Sequence, residues 1–388
     1  MAVEESFFLT APMGDSLPES NIEEAHEIEA AEKILEAEKI NNALRAHEVL
    51  ENTSLSLTSS KIAPFGVFAP EALGPEDQIQ PEAVLRQPRI WAVGGGKGGV
   101  GKSLICANFS MSLALKGHSV LAIDLDLGGS NLHTCLGVEP PKLGIGDWFT
   151  GRNKSLPELF SDTQTPNLKL VSGSSDPLHV TAIAEKRRGE LLNQIRLLDF
   201  DDVVIDLGAG TQDFTIQVFN AADEGILSIL PEPTSVENAY RFIKAAFYDR
   251  LRHSKVPQGI HEVVEAALDP KNILGIRTPA DLFSIVDRLD SQASSTLKLS
   301  AGAMKPNIVI NQVRSQVDID VGRAICSVCR RYFGIDVRYA GYIDYDNAVW
   351  KAVRSKKPVI QEFPHSVLAN RIDHLTRALL GQEKGLFP

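Results

Sequence analysis

The sequence predicts a doubly wound α/β fold with a mostly parallel sheet, and three observations carry that prediction. From Arg89 onward, short β-rich apolar runs alternate with helical stretches, the pattern of repeated strand–helix–strand units. Several runs are unbroken rather than alternating, as strands covered on both faces require. A glycine-rich loop stands directly between the first run and the first helical stretch.

The strand candidates, in order, are Ile90–Val93, Val120–Ile123, Leu168–Val171, Val203–Ile205, Gly225–Leu230, Ile308–Ile310 and Val337–Tyr342. A helix from Leu104 to Leu115 follows the glycine loop. Another, Ser366–Leu380, carries an apolar stripe of Val367, Leu368, Ile372, Leu375 and Leu379, which reads as core packing rather than as a membrane-binding face. Residues 250–305 lie between two strands and are too many for one crossover helix. They read as an insertion with helices near 259–268 and 279–290. The predicted body is 89–381, with a short tail at 382–388.

Ahead of the body lies an extension of opposite character. Residues 1–85 hold 17 Asp and Glu against 4 Lys and Arg, whereas the whole chain of 388 residues has a net charge of −11. The body is therefore close to neutral. Within 1–88, residues 1–21 read as disordered. Residues 22–52, without Gly or Pro, read as a long helix whose Ile28, Leu35 and Val49 are spaced in sevens but interrupted at Asn42; 53–88 read as a linker. Docking a protein partner and remaining solvated are equally good readings of that helix.

The same arithmetic excludes several classes. No run of about 18 apolar residues marks a transmembrane helix. The N-terminus lacks the basic-then-apolar layout of a secretory signal. Four cysteines are too few for a disulfide scaffold. A soluble cytoplasmic protein is the expectation, and a neutral body speaks against constitutive nucleic-acid binding.

Gly96-Lys97-Gly98-Gly99-Val100-Gly101-Lys102-Ser103 fits GxxxxGK[ST]. Glycines let backbone N–H groups curl around phosphate oxygens, and the helix that follows adds its positive end. Lys102 suits the β- and γ-phosphates, and Ser103 suits Mg²⁺. Lys97 is a second lysine that an ordinary phosphate loop does not need; its position allows it to neutralise phosphate charge across a dimer interface. Two strands end in carboxylates, at Asp124 with Asp126 and at Asp206 before Gly208-Ala209-Gly210. Strand ends of this kind line the ligand crevice, where acids serve Mg²⁺.

On these residues the chain, from about Arg89 to Leu380, resembles the MinD/ParA family of deviant-Walker ATPases, which have the SIMIBI-type P-loop NTPase fold. Lys97 falls on the family's signature lysine, Asp124 and Asp126 on its Walker A′ aspartates and Asp206 on its Walker B aspartate. Asp206–Gly210, Pro231-Glu232-Pro233-Thr234-Ser235, Asn238-Ala239-Tyr240 and Ile243-Lys244-Ala245 look most like the FlhG/FleN (YlxH) branch, which regulates flagellar number and position. Ala348, Lys351–Arg354 and Pro358-Val359 also match it.

The resemblance implies an ATP-dependent homodimer in which each Lys97 contacts the partner's ATP. Asp126 would orient the attacking water, Asp124 and Asp206 would organise Mg²⁺, and Asn311 falls where family members contact adenine. Slow hydrolysis would dissolve the dimer. Partners would be a flagellar GTPase or basal-body component and a protein bound through the extension, with at most transient contact at the inner membrane face or a cell pole. The sequence departs from the family at Ile343-Asp344, where Ile-Pro is usual. The branch's DQxxxLR activator motif is broken, since Asp77-Gln78 and Leu85-Arg86 are too far apart.

Two other readings stand beside this one. Cys326-Ser327-Val328-Cys329 could mark an iron–sulfur carrier of the Mrp type, but it lies in an expected helix (Val321–Phe333) and reads better as two helix-face cysteines. A DNA-partitioning ATPase of the ParA type would need a basic face, for which Lys186-Arg187-Arg188, Arg330-Arg331 and Lys351 to Lys357 are candidates.

Overall fold

The computed structural model describes residues 87–382 except 154, 174–176 and 270, with no side-chain description for 177–185. The expected helix at 22–52, the linker as far as 86, the Asp77–Arg86 motif residues and the tail from 383 lie outside the described residues. Among the described residues the chain divides into two compact units, 257–276 and the remainder. The smaller unit carries one helix, Gln258–Ala266, with Ile260, Val263 and Val264 buried at helical spacing.

The larger unit is built on eight strands: β1 (Arg89–Gly94), β2 (Val120–Leu125), β3 (Ser161–Asp162), β4 (Leu168–Val171), β5 (Asp202–Leu207), β6 (Glu224–Ile229), β7 (Asn307–Val313) and β8 (Arg338–Asp344). Their order is β3-β4-β2-β5-β1-β6-β7-β8. All pairings are parallel except β3 with β4. The doubly wound α/β prediction is thus met. β3, a two-residue antiparallel edge, has no apolar run of its own and so leaves no strand pattern in the sequence.

Every residue of β2 and β5 is buried, which explains why their sequences show no alternation. Outward from β1 the sheet extends one way through β5, β2 and β4 and the other way through β6, β7 and β8. The carboxyl end of β1 is therefore the switch point where such sheets bind ligands.

Helices cover both faces. The helix Lys102–Leu115 buries Ile105, Phe109, Met111 and Leu113 against the sheet. Trp91 of β1 meets Phe109 edge-on, with ring centroids 5.0 Å apart. The helix Val367–Leu379 starts at Ser366, whose hydroxyl accepts the Ala369 N–H at 3.1 Å. It buries Leu368, Ile372, Leu375 and Leu379 in the same core, leaving Val367 exposed. At about 1.5–3 kcal/mol for each buried aliphatic side chain, that stripe is committed to the fold. Among the described residues no helix is long and apolar enough to cross a membrane. Between residues 277 and 305 the helices Pro279–Leu289 and Ser291–Gly302 pack on one another, and Arg250 Nε donates to the Ser300 carbonyl at 3.2 Å.

Candidate functional site

The loop 95–101 leaves the carboxyl end of β1 and turns straight into the helix Lys102–Leu115. Gly99 and Gly101 have φ of +79° and +90°, values that side-chain-bearing residues avoid. A Cβ on Gly101 would collide with the Asn311 amide, and one on Gly96 with the Asn238 carbonyl. The Val100 carbonyl is braced from below by two donors, Ser228 Oγ at 2.8 Å and Asn311 Nδ2 at 2.9 Å, and the Gly95 carbonyl accepts the Gly210 N–H at 3.2 Å. Asn311 is 2% exposed, and its Oδ1 accepts the Gln312 N–H at 2.9 Å. The structure therefore places Asn311 beneath the loop, as a brace.

Lys102, only 6% exposed, opens the helix. Lys97 instead lies on the loop's outer rim, its side chain 44% exposed. Its Nζ donates to Thr234 Oγ1 at 3.5 Å and stands 3.9 Å from Glu232 Oε2. Both belong to the entry of the helix Pro233–Arg252. Gly98 and Gly99 have open space around them.

The three aspartates converge but differ in partners. Asp124 on β2 and Asp206 on β5 are neighbours in register, and both are fully buried. Asp124 Oδ1 accepts the Asp126 N–H at 3.0 Å; Oδ2 accepts Ser130 Oγ at 2.6 Å and the Leu132 N–H at 3.1 Å. Burial pushes its carboxyl up, and those hydrogen bonds partly offset the rise. Neither oxygen of Asp206 has a hydrogen-bond partner of standard geometry. Burial, then the Asp124 charge, pushes the Asp206 carboxyl well above the usual carboxylate range; Ser103 and Lys102 pull it partly back.

Asp126 is half-buried, and its Oδ1 accepts the Gly128 N–H at 3.3 Å. A Cβ on Gly129 or Gly208 would stand 3.6 Å from this carboxylate. A hard divalent cation fits this donor set. Magnesium takes one or two carboxylates and a hydroxyl and keeps several waters, and the unpartnered Asp206 with the neighbouring Ser103 offers that chemistry.

Several of these partners carry no sequence signature. Ser130 and Ser228 look like ordinary loop and strand serines, and Glu232, Thr234 and Asn238 belong to stretches noted only as family-like. A polar serine inside the apolar run Ile226–Ile229 is the one faint signal.

The competing features are placed elsewhere. Cys326 and Cys329 occupy adjacent turns of the unbroken helix Gln316–Phe333. Burial pushes their thiols up to about 11 and about 12, away from the thiolate that a metal or cluster needs. Arg187 is folded back, its guanidinium 4.0 Å over the Trp148 ring and bonded to Glu190.

Fold and site together define a phosphate-loop nucleotide-binding protein of the doubly wound class. Residues 91–359 match the CobQ/CobB/MinD/ParA nucleotide binding domain, and the chain belongs to that family. It is 25% identical over 280 residues to the antiactivator FleN of Pseudomonas aeruginosa, covering 72% of this chain and 81% of FleN. It is 36% identical over 155 residues to the flagellum site-determining protein YlxH of Helicobacter pylori, covering 39% of this chain and 52% of YlxH. The septum site-determining protein MinD complexed with Mg-ADP from Pyrococcus horikoshii shares the fold. Its TM-score is 0.52 at 22% identity, covering 75% of this chain and 96% of that one.

Proposed function

We propose that this protein is an ATP-driven dimerisation switch with slow hydrolysis. The observation that carries the reading is the contrast between two ionisable groups beside the phosphate loop: a buried Asp206 at its base, with no hydrogen bond of standard geometry, and an exposed Lys97 on its rim.

In this reading the backbone of Gly96, Gly98, Gly99, Val100 and Gly101 wraps the phosphates, and Lys102 neutralises them. Ser103 and Asp206 hold Mg²⁺, which screens the phosphate charge. Asp124, whose oxygens already hold residues 126–132, organises the metal site by fixing the segment that carries Asp126. Asp126 orients the attacking water. Lys97 leaves Thr234 and Glu232 and reaches the nucleotide of a second copy. Asn311 keeps the loop in shape from below, next to the adenine side.

Likeness to FleN and YlxH supports a finer proposal, that the switch controls the number or placement of flagella. The acidic extension is then the partner-specific element. Capture of partners on an ATP-loaded Asp126→Ala variant tests this. Recovery of a flagellar GTPase or basal-body protein supports it; recovery of a chromosome-partition partner replaces it.

A further inference from the structure

At the sheet edge opposite the phosphate loop, where β6, β7 and β8 begin, lies a cavity of about 920 Å³. One wall is the helix Gln316–Phe333, which presents Arg323, Arg330 and Arg331. The other is the edge of the sheet, with Lys305 just ahead of β7 and Arg338 at the start of β8. The acids in the lining are Glu224 and Asp336.

Part of this charge has a local explanation. Arg330 and Arg331 sit in the last helical turn, where cations offset the helix dipole, and Arg330 pairs with Asp336 at 2.8 Å. That explanation does not reach the other three. Arg323 lies two turns back on the same helix face, about 10 Å away at 1.5 Å per residue, and pairs with Asp320 at 3.0 Å. Lys305 and Arg338 come from different chain segments. Arg338 is held in place by the Ala378 carbonyl, and Glu224 is engaged by Asn307 Nδ2 at 2.9 Å. Five cations and two acids leave the lining at a net +3.

We propose that this cleft binds a small phosphorylated anion carrying two or more phosphoryl groups. The cavity has the volume of a small-molecule site, and its concave shape admits a compact ligand rather than a duplex. Each phosphoryl group brings about −1.5 to −2 charge, so two of them offset the lining. Guanidinium forks match phosphate oxygens two at a time. The proposal goes beyond the switch reading and does not depend on it, because the phosphate loop lies at the other end of the strands.

The test is calorimetric titration of inorganic tripolyphosphate into the full chain. ADP and excess Mg²⁺ fill the phosphate loop first, and a fluorescent ADP analogue reports any displacement. The expected result is one further anion site, weakened at least tenfold in a Lys305→Ser/Arg323→Ser variant whose ADP affinity is unchanged. If that variant no longer holds ADP, Arg331→Ser, at an exposed side chain, repeats the comparison. Heat arising only from ADP displacement, undiminished binding in the variants, or tighter binding of a polyglutamate peptide of equal charge would each overturn the proposal.

Discussion

Asp124 and Asp206 stand side by side in register on β2 and β5, yet Asp124 accepts three hydrogen bonds while Asp206 accepts none of standard geometry and has only Ser103 and Lys102 beside it to favour its charged form. A buried carboxylate without a partner destabilises the fold that contains it. The nucleotide-free chain thus carries a local cost that a cation beside Asp206 would remove.

Asp206→Asn keeps the shape and removes the ionisable carboxyl. Its expected effect is a higher Tm for the nucleotide-free protein at pH 7, by about 2–6 °C for roughly 1–2 kcal/mol. The sign with pH follows from the raised carboxyl. Between the ordinary value of 3.8 and the raised one, the unfolded chain releases the proton and the folded chain keeps it. Wild-type stability therefore falls as pH rises through that window and stays lower above it. The Tm gap to the variant should open with rising pH and close toward pH 4. A gap that widens on acidification would show that Asp206 is not held in its neutral form.

Glycine positions in the loop separate by conformation. Gly101→Ala meets both a φ of +90° and the Asn311 amide. It should cost at least about 1–2 kcal/mol and abolish tight nucleotide binding. Gly98→Ala, with nothing around it, should leave Tm within about 1 °C, in line with a surface change. Thermal melts of the two variants without nucleotide check this directly.

Asn311→Ala removes one of the two donors to the Val100 carbonyl and leaves Ser228. Losing one hydrogen bond of about 1 kcal/mol should weaken ADP binding roughly five- to tenfold, without unfolding. Calorimetric ADP affinity of the variant is the readout; unchanged affinity would remove Asn311 from the loop's support.

The phosphate loop was legible in the sequence because close backbone curvature demands glycine at fixed places, and few other needs produce that spacing. Buried parallel strands were legible because burial on both faces leaves long apolar runs. The braces were not. Ser228 and Asn311 come from β6 and β7, far along the chain, and only the sheet order puts them under Val100. The division of labour between Asp124 and Asp206 was hidden for a related reason. Both end apolar strands with the same residue type, and the difference lies in Ser130 and the Leu132 N–H, which reach one and not the other. The Ser366–Leu380 stripe reads as core packing from its pattern, and the burial of Leu368, Ile372, Leu375 and Leu379 in the sheet's core agrees.

The half-buried Asp126 and the exposed Lys97 give the switch reading its separable parts. Asp126→Ala should stall hydrolysis and accumulate an ATP-bound dimer of twice the monomer mass in light scattering. Lys97→Ala should still bind ADP as a monomer but lose the hydrolysis that depends on dimerisation. A monomeric Asp126→Ala variant with ATP bound would exclude the face-to-face dimer.

Mixing the two inactive variants before adding ATP probes the central claim most directly. If Lys97 acts on the partner's nucleotide, each mixed dimer assembles one complete site, from the Asp126 of one subunit and the Lys97 of the other. Symmetric pairing then predicts recovery to roughly a quarter of wild-type hydrolysis. No recovery, with mixed dimers shown to form, would mean that Lys97 serves its own subunit and would contradict the account.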